Sequence, residues 1–233
     1  MPKIKVNGAR LYYEVTGNGR PFVFIHAGGL ESSSWRSQIA FFSKRYRIIT
    51  YDIRGHGRSE VPEGTYSMGD CVEDLRQLLD HLAVQRTYLA GLSMGGYIAL
   101  SFTLCYPERI DALLLAGTNS GPMVETVRKI SEERVVRMRL KGTDTAMKYM
   151  YAHEANVARP DLTNRLSEIG RPVLIIVGDQ DVETPRYMSE EMHRRIEKSQ
   201  MVVIPNCGHK CNQEQPDTFN SIVSDFLQRV EAI

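Results

Sequence analysis

A serine between two glycines, at the junction of a strand-like and a helix-like segment, constrains this 233-residue chain most strongly. Residues 87–90 are β-branched, aromatic and apolar, which favours a buried strand, and residues 94–104 are apolar on most faces, which predicts a buried helix. Between them, Gly91-Leu-Ser-Met-Gly95 has the pattern G-x-S-x-G. A strand that turns directly into a helix strains the residue at the corner, so its neighbours two positions away must lack side chains. The alternative is a glycine-rich turn that carries an ordinary serine.

Such a turn holds the Ser93 hydroxyl away from the backbone, at the N-terminal end of the helix. There the N–H of Met94 can point at a developing oxyanion. A serine nucleophile needs a base, and the base needs a third group that holds its tautomer and orientation. Hydrolases with this turn carry the three residues in the order Ser, then Asp or Glu, then His. The residues downstream of Ser93 therefore decide between the two interpretations.

Two strand-like segments downstream end in candidate partners. Residues 171–178 are an apolar run typical of a central parallel strand, and the run leads into Asp179 and Asp181. A later apolar strand leads into His209. Open α/β sheets build their sites at the carboxyl ends of the strands. The sequence therefore predicts that Ser93, Asp181 and His209 converge at one edge of a sheet.

Each partner has an alternative. Asp181 also suits a helix cap for the segment that begins near Thr184, and Asp179 competes with it for the catalytic role. Asp179 follows the last glycine of the strand directly, which suits the tight turn there and favours Asp181 as the acid. The strand at residues 112–116 offers no carboxylate after it, and His209 is the one histidine after Asp181 in a strand-exit loop.

With these residues in place, the chain resembles the α/β-hydrolase fold superfamily over essentially its whole length. The matching motifs are, in order, His26-Ala-Gly-Gly29, Tyr51-Asp-Ile-Arg-Gly-His-Gly-Arg-Ser59, the turn around Ser93, Gly178-Asp-Gln-Asp181 with Pro185, and Gly208-His209 with Glu214-Gln-Pro216. The nearest likeness is to small carboxylesterases and 3-oxoadipate enol-lactonase-like hydrolases. The resemblance implies an α/β-hydrolase fold, with a mostly parallel eight-stranded sheet flanked by helices.

The order of elements predicts a core made of residues 1–119 and 170–233, with a helical lid at residues 120–169 after the sixth strand. The lid segment has no convincing strand and is short for the superfamily, which predicts an open or shallow acyl pocket. The opening strands near Lys3–Val6 and Ala9–Thr16 alternate in polarity, so we expect them to form an antiparallel edge of the sheet.

In this superfamily a His-Gly-x loop supplies the second N–H of the oxyanion hole, and here alanine replaces the usual glycine in His26-Ala27-Gly28. Gly28 is therefore the favoured donor beside Met94, and His26 is expected to brace the loop by hydrogen bonding. The residues expected to bind substrate are Gly29, Trp35, Met123, Met150 and Val182. Trp35 either lines the mouth of the pocket or anchors the first helix, and the methionines either line the pocket or pack on the core.

No metal or cofactor is expected. Cys207, His209 and Cys211 alternate on one short loop, but no other Cys or His cluster completes a tetrahedral set. The 29 basic and 28 acidic residues give a net charge of +1, which argues against a nucleic-acid surface. No run approaches membrane-spanning length. The N-terminus lacks an apolar h-region and the four cysteines lack a framework spacing, so we expect a reduced, cytoplasmic protein, either monomer or homodimer.

Serine at the turn, where related dehalogenases and epoxide hydrolases carry aspartate, implies acyl transfer. We expect a hydrolase for small carboxylic esters, with short acyl chains favoured, that works through an acyl-enzyme on Ser93. The partner is then a small-molecule ester or lactone. Lactonase, thioesterase and carbon–carbon hydrolase activities remain open, as does a receptor-like member of the fold that binds a ligand and turns it over slowly.

Overall fold

Eight strands form a single sheet in the computed structural model, which describes residues 2–123, 125–139 and 143–232. In chain order the strands are β1 Lys3–Val6, β2 Ala9–Thr16, β3 Arg20–Ile25, β4 Tyr46–Tyr51, β5 Thr87–Leu92, β6 Ile110–Ala116, β7 Val173–Gly178 and β8 Ser199–Ile204. Their order across the sheet is β1-β2-β4-β3-β5-β6-β7-β8. β2 is antiparallel to both of its neighbours, and all the other pairs are parallel. The predicted fold class and the predicted antiparallel edge are confirmed.

The helices alternate with the parallel strands and lie on both faces of the sheet. They are α1 Arg36–Phe42, α2 Met68–His81, α3 Met94–Cys105, α4 Glu125–Arg139, α5 Thr143–Val157, α6 Arg186–Arg195, α7 Cys211–Glu214 and α8 Pro216–Glu231. Side chains and a proline near the first turn favour the observed starting points of two of these helices. Ser67 and Asp70 form a reciprocal capping box at the start of α2, and Pro216 occupies the first turn of α8, where its missing N–H costs nothing.

The core consists of two apolar layers, one on each face of the sheet. Along β3, Val23 and Ile25 point into one layer and Phe22 and Phe24 into the other, because side chains alternate along a strand. The first layer also takes buried side chains from α2, α3 and α6, and the second takes them from α1 and α8. Every residue of β5 and β7 is buried, as expected for central parallel strands that are covered on both faces.

Trp35 lies in this core and does not reach a pocket. Its side chain is fully buried, stacks on Phe24 with the ring centroids 5.0 Å apart and lies 6.0 Å from the ring of Phe219. These contacts fit the alternative role of Trp35, as an anchor of the first helix, and its expected role in substrate binding stays a prediction. The position of Trp35 in the sequence could not separate the two roles, because both roles are compatible with a residue just after the loop that follows β3.

Between β6 and β7 the described residues form helices and no strand. α4, α5 and a short 3₁₀ segment at Thr163–Glu168 occupy this stretch, and residues 124 and 140–142 lie outside the described residues. The end of the stretch is tied down near α3, because the hydroxyl of Tyr97 donates to the carbonyl of Pro160 at 2.6 Å. Ala152, Ala155 and Leu162 pack into the same apolar layer as Tyr97. The lid boundaries at 120 and 169 remain a prediction.

Two glycines let α3 approach the sheet closely. A methyl group on Gly91 would lie 2.2 Å from the carbonyl oxygen of Gly95, and one on Gly95 would lie 2.4 Å from the carbonyl oxygen of Ile25 and 2.5 Å from that of His26. Backbone atoms cannot yield as a flexible side chain does. The chain therefore leaves β5 and enters α3 within a space that only glycine fits, as the G-x-S-x-G pattern predicts.

We predict that Gly95→Ala forces α3 away from β3 and destabilises the fold by about 1–3 kcal/mol, since overpacked sites relax only by shifting backbone. Urea denaturation measures the effect. Gly170→Ala is the matched control, because a methyl group there meets nothing within 4 Å. If the two variants are equally stable, the approach is not as tight as the structure indicates.

Candidate active site

Ser93 occupies the corner between β5 and α3 in a strained backbone conformation. Its φ is 53° and its ψ is −116°, well outside the small left-handed region that residues with side chains can adopt. Such conformations cost about 1–3 kcal/mol and persist only where the surroundings impose them. The surroundings here are the exit of β6, since the N–H of Ser93 donates to Ala116 at 2.9 Å and the hydroxyl of Thr118 donates to the carbonyl of Ser93 at 2.8 Å.

His209 and Asp181 form a hydrogen-bonded pair across the exits of β8 and β7. Nδ1 of His209 lies 2.9 Å from Oδ2 and 3.1 Å from Oδ1 of Asp181. A carboxylate only accepts, so Nδ1 carries the proton and Nε2 presents its lone pair. This is the tautomer that a general base requires.

Asp181 is held ionised by its neighbours. Its Oδ1 accepts from the N–H groups of Glu183 and Thr184, each at 2.9 Å, and its Oδ2 accepts from the Thr184 hydroxyl at 2.6 Å. Burial alone raises the pKa of Asp181, but the hydrogen bonds and charge of His209 and the hydrogen bonds from Thr184 lower it below the usual 3.8. A lowered folded pKa means that the stabilisation by this carboxylate persists at neutral pH and is lost as the pH falls through that value.

The competing carboxylate, Asp179, does not reach the imidazole. Its side chain is exposed, and its Oδ1 accepts from the N–H of Cys207 at 3.2 Å. Asp179 therefore ties the exit loops of β7 and β8 together. The helix-cap alternative for Asp181 is compatible with pairing to His209, because the carboxylate makes both sets of hydrogen bonds at once.

Ser93 and His209 line one cavity of about 20 Å³ above the carboxyl edge of the sheet, a volume that holds roughly one water molecule. The other lining residues are Thr118, Asn119, Met123, Asn156, Arg159, Glu183 and Thr184. Glu183 approaches the imidazole from the side opposite Asp181, with its Oε2 3.8 Å from Nε2 of His209. The imidazole thus stands between two carboxylates, and no sequence pattern indicated the second.

The loop after β3 lies against the start of α3. A methyl group on Gly28 would meet the Sδ atom of Met94 at 3.4 Å, so the exposed Gly28 backbone runs beside the first turn of the helix. The N–H of Met94 opens α3 and has no partner inside the helix. Ala27, the departure from the usual glycine, turns its methyl group into the core and leaves the approach of Gly28 unobstructed.

His26 braces this loop, as its position predicts. Its Nε2 accepts from the N–H of Ile53 at 2.9 Å, so Nδ1 carries the proton and donates to the carbonyl of Ala27 at 2.8 Å. Burial lowers the pKa of His26 to about 4, which keeps the ring neutral. The following loop is held similarly, because Arg54 forms a buried pair with Asp74 at 2.6 Å. Both loops are scaffold for the edge of the sheet.

Of the remaining residues predicted to bind substrate, Met123 lines the cavity with Ser93. Gly29 lines a different cavity, of about 370 Å³. Val182 is 71% exposed and directly follows Asp181. Met150 is partly exposed, and neither residue is among those that line the cavity with Ser93. Their roles in substrate binding stay predictions.

Other lining residues were missed by sequence reasoning. Thr118 and Asn119 follow β6 and had a signal, because they occupy a strand exit at the same edge of the sheet. Asn156 and Arg159 had none, since contacts between the end of this stretch and Tyr97 of α3 bring them into the cavity wall, and no local pattern encodes those contacts.

Among the described residues, no cluster of three or more His, Cys, Asp and Glu side chains has a metal-binding arrangement. Burial raises the pKa of Cys207 to about 11 and that of Cys211 to about 12, so both remain protonated thiols at neutral pH and are poor metal ligands. In the described part of the chain, no helix combines the length and apolar character that crossing a membrane requires.

The chain is similar to known proteins over most of its length, and not only around the site. A family model described as alpha/beta hydrolase fold matches residues 20–164, and a second model, described as TAP-like protein, matches residues 145–232. Curated relatives include 3-oxoadipate enol-lactonase 1 of Acinetobacter baylyi, which is 28% identical with 96% of this chain and 95% of that protein covered. A 2-hydroxy-6-oxononadienedioate/2-hydroxy-6-oxononatrienedioate hydrolase of Burkholderia vietnamiensis is 29% identical, with 94% and 91% covered.

Solved structures agree with this placement. A thermophilic esterase from Thermogutta terrifontis, solved with malate bound, superposes with a TM-score of 0.88 at 28% identity, and 99% of each chain is covered. The enol-lactonase from Burkholderia xenovorans LB400 gives a TM-score of 0.85 at 26% identity, with 97% of this chain and all of that chain covered (100%). Both likenesses extend over the whole sheet and the helices around it.

We predict that Asp181→Asn lowers the rate of acyl transfer from p-nitrophenyl acetate by about 10⁴-fold, because an amide at this position favours the wrong imidazole tautomer. Steady-state release of p-nitrophenol measures the loss. Asp179→Asn is the matched control and is expected to retain most of the activity. An equal loss in both variants would show that Asp181 does not orient the base.

Proposed function

The chain belongs to the α/β-hydrolase family, and we propose that it is a serine hydrolase that cleaves small carboxylic esters with short acyl chains. The observation that carries this proposal is the His209–Asp181 pair at 2.9 Å, with its imidazole opening onto the same cavity as the strained Ser93. A histidine that Asp181 holds in this tautomer can remove the proton from the hydroxyl of a neighbouring serine and so activate it as a nucleophile.

In the acylation step, Nε2 of His209 takes the proton from the Ser93 hydroxyl as the oxygen attacks the ester carbonyl. Asp181 stabilises the imidazolium that forms. The N–H groups of Met94 and Gly28 donate to the tetrahedral oxyanion, and each such donor contributes about 3 kcal/mol in comparable enzymes. The imidazolium then protonates the leaving alcohol as the C–O bond breaks, which leaves an acyl group on Ser93.

Deacylation repeats these steps with water in place of serine. His209 removes a proton from the water, the hydroxide attacks the acyl carbonyl, and the same two N–H groups hold the oxyanion. The proton then returns to the Ser93 oxygen, and the acid leaves. Neither step needs a metal or cofactor, since the base, the orienting acid and the oxyanion donors all come from the chain.

The preference for short acyl chains rests on the short inserted stretch between β6 and β7. The cavity of about 20 Å³ beside Ser93 and His209 holds about one water molecule, so an acyl group of any length enters only after the walls of the cavity move apart. Lactonase activity is the second candidate, because two of the similar proteins are enol-lactonases. A lactone opens by the same chemistry, and the leaving alkoxide stays attached to the acyl group.

We further propose that the protein works in the cytoplasm on a small-molecule substrate, as a monomer or homodimer. Its four cysteines are free thiols, which is usual in a reducing compartment. Cys71, Cys207 and Cys211 are buried and Cys105 is exposed, and the spacing of the four gives no framework of disulfides.

We predict that Ser93→Ala lowers ester turnover by about 10⁵-fold or more, as removal of a serine nucleophile does elsewhere. A series of p-nitrophenyl esters from acetyl to dodecanoyl, with wild type beside the variant, measures both the nucleophile and the chain-length preference. Acetyl or butyryl esters should react fastest. Turnover that survives the substitution contradicts the proposed nucleophile, and faster turnover of dodecanoyl esters contradicts the preference. Tight ligand binding with negligible turnover in both proteins indicates a receptor.

A further inference from the structure

A cationic side chain projects into the cavity that holds Ser93. Arg159 follows the end of α5 and lines this cavity, and its guanidinium carbon lies 4.7 Å from the ring centroid of Tyr97. Tyr97 is four residues after Ser93 on α3, one helical turn further on. The guanidinium therefore lies above the first turn of α3, on the same side as the nucleophile.

The hydrogen-bond partners of Arg159 are all neutral. Nε donates to the carbonyl of Gly121 at 2.9 Å, Nη1 donates to the Asn156 side chain at 2.8 Å, and Nη2 donates to the Asn119 side chain at 2.5 Å. Across the described part of the chain, no carboxylate lies within ion-pair distance of this guanidinium. Burial lowers the pKa of Arg159 to about 10, so the cation is poorly solvated and still charged at neutral pH.

Two N–H groups of the Arg159 guanidinium remain for a ligand. A guanidinium has five N–H groups, and the three contacts use one each on Nε, Nη1 and Nη2. One N–H on Nη1 and one on Nη2 remain, which is the number that a carboxylate accepts in a bidentate pair. Two asparagines and a backbone carbonyl fix the orientation of the group.

Glu183, which also lines the cavity, determines how an anionic substrate can be oriented there. Glu183 lies 3.8 Å from Nε2 of His209, so negative charge already flanks the base. A second anion is repelled from that side and attracted to the guanidinium. A substrate that carries an anion therefore has one electrostatically favoured orientation, with the anion at Arg159 and the scissile carbonyl between Ser93 and His209.

We propose that Arg159 binds a carboxylate of the substrate, so that the preferred substrates are esters or lactones that bear a second, anionic carboxylate group. This inference rests on the proposed hydrolase function and narrows its substrate class. Arg159 determines specificity in this account and takes no part in proton transfer.

The test compares two substrates of nearly equal shape. Monoethyl succinate carries a carboxylate where ethyl succinamate carries a neutral amide, and ethanol release reports the hydrolysis of both. Wild type should have a kcat/KM at least about tenfold higher for monoethyl succinate, since a desolvated charged pair contributes at least 1.4 kcal/mol. Arg159→Gln should bring the ratio of the two kcat/KM values to about one or below. Arg159→Lys keeps the charge without the fork and should give an intermediate ratio.

Arg165→Gln is the matched control. Arg165 belongs to the same inserted stretch, is half-exposed and pairs with Glu168, so its substitution should leave the wild-type ratio in place. Circular dichroism checks the fold of each variant. If Arg159→Gln does not fold, the ratio of the two kcat/KM values in wild type and in Arg159→Lys tests the inference instead. A wild-type ratio of one or less overturns the inference, as does an unchanged ratio in a folded Arg159→Gln variant.

The two proposals fail in different ways. If wild type cleaves ethyl succinamate through Ser93 and shows no preference for the charged ester, the hydrolase function stands and the role of Arg159 is wrong. If neither ester is cleaved, calorimetric titration of monoethyl succinate into wild type and Arg159→Gln still tests Arg159. Binding that weakens at least about tenfold in the variant supports the carboxylate site, and equal or absent binding overturns it.

Discussion

The close approach of α3 to the sheet is the constraint on which the site depends. Backbone atoms of Gly91 and Gly95 occupy space that no methyl group could share with neighbouring carbonyls. This contact leaves Ser93 no relaxed conformation at the corner and turns its side chain toward the carboxyl edge of the sheet. The same approach places the loop that contains Gly28 beside the N-terminus of α3. The proposed nucleophile and the proposed oxyanion donors therefore depend on the same close approach.

The remaining parts of the site are held by buried polar contacts in the loops at the strand exits. Asp181 is fixed by Thr184 and by the N–H groups that follow it, and it fixes His209 in turn. His26 and the Arg54–Asp74 pair hold the loops on the other side of α3. The buried side chains of Asp181, His26 and Arg54 thus have hydrogen-bond partners, and these contacts hold the loops in place.

Local signals in the sequence predicted the sheet, and they predicted that Ser93, Asp181 and His209 lie at one edge of it. Apolar runs that end in glycine mark strand exits, and strand exits of a parallel sheet share one edge, so residues distant in the chain were expected to meet. Tertiary packing decided the rest. Trp35 is buried because Phe24 and Phe219 contact it from other elements, and Arg159 reaches the cavity because the chain after α5 is held against Tyr97 of α3. The residues that make these contacts with Trp35 and Arg159 belong to other elements, so the sequence around either residue does not indicate the contacts.

Covalent labelling tests most directly whether the strained serine is a nucleophile activated by its histidine. The protein would be treated with diisopropyl fluorophosphate and digested, and the labelled peptide would be identified by mass spectrometry. The account predicts a single adduct, on Ser93, and a labelling rate that falls by orders of magnitude in His209→Ala. A folded protein that takes up no label, or carries it on another residue, or labels equally fast without the imidazole, would contradict it.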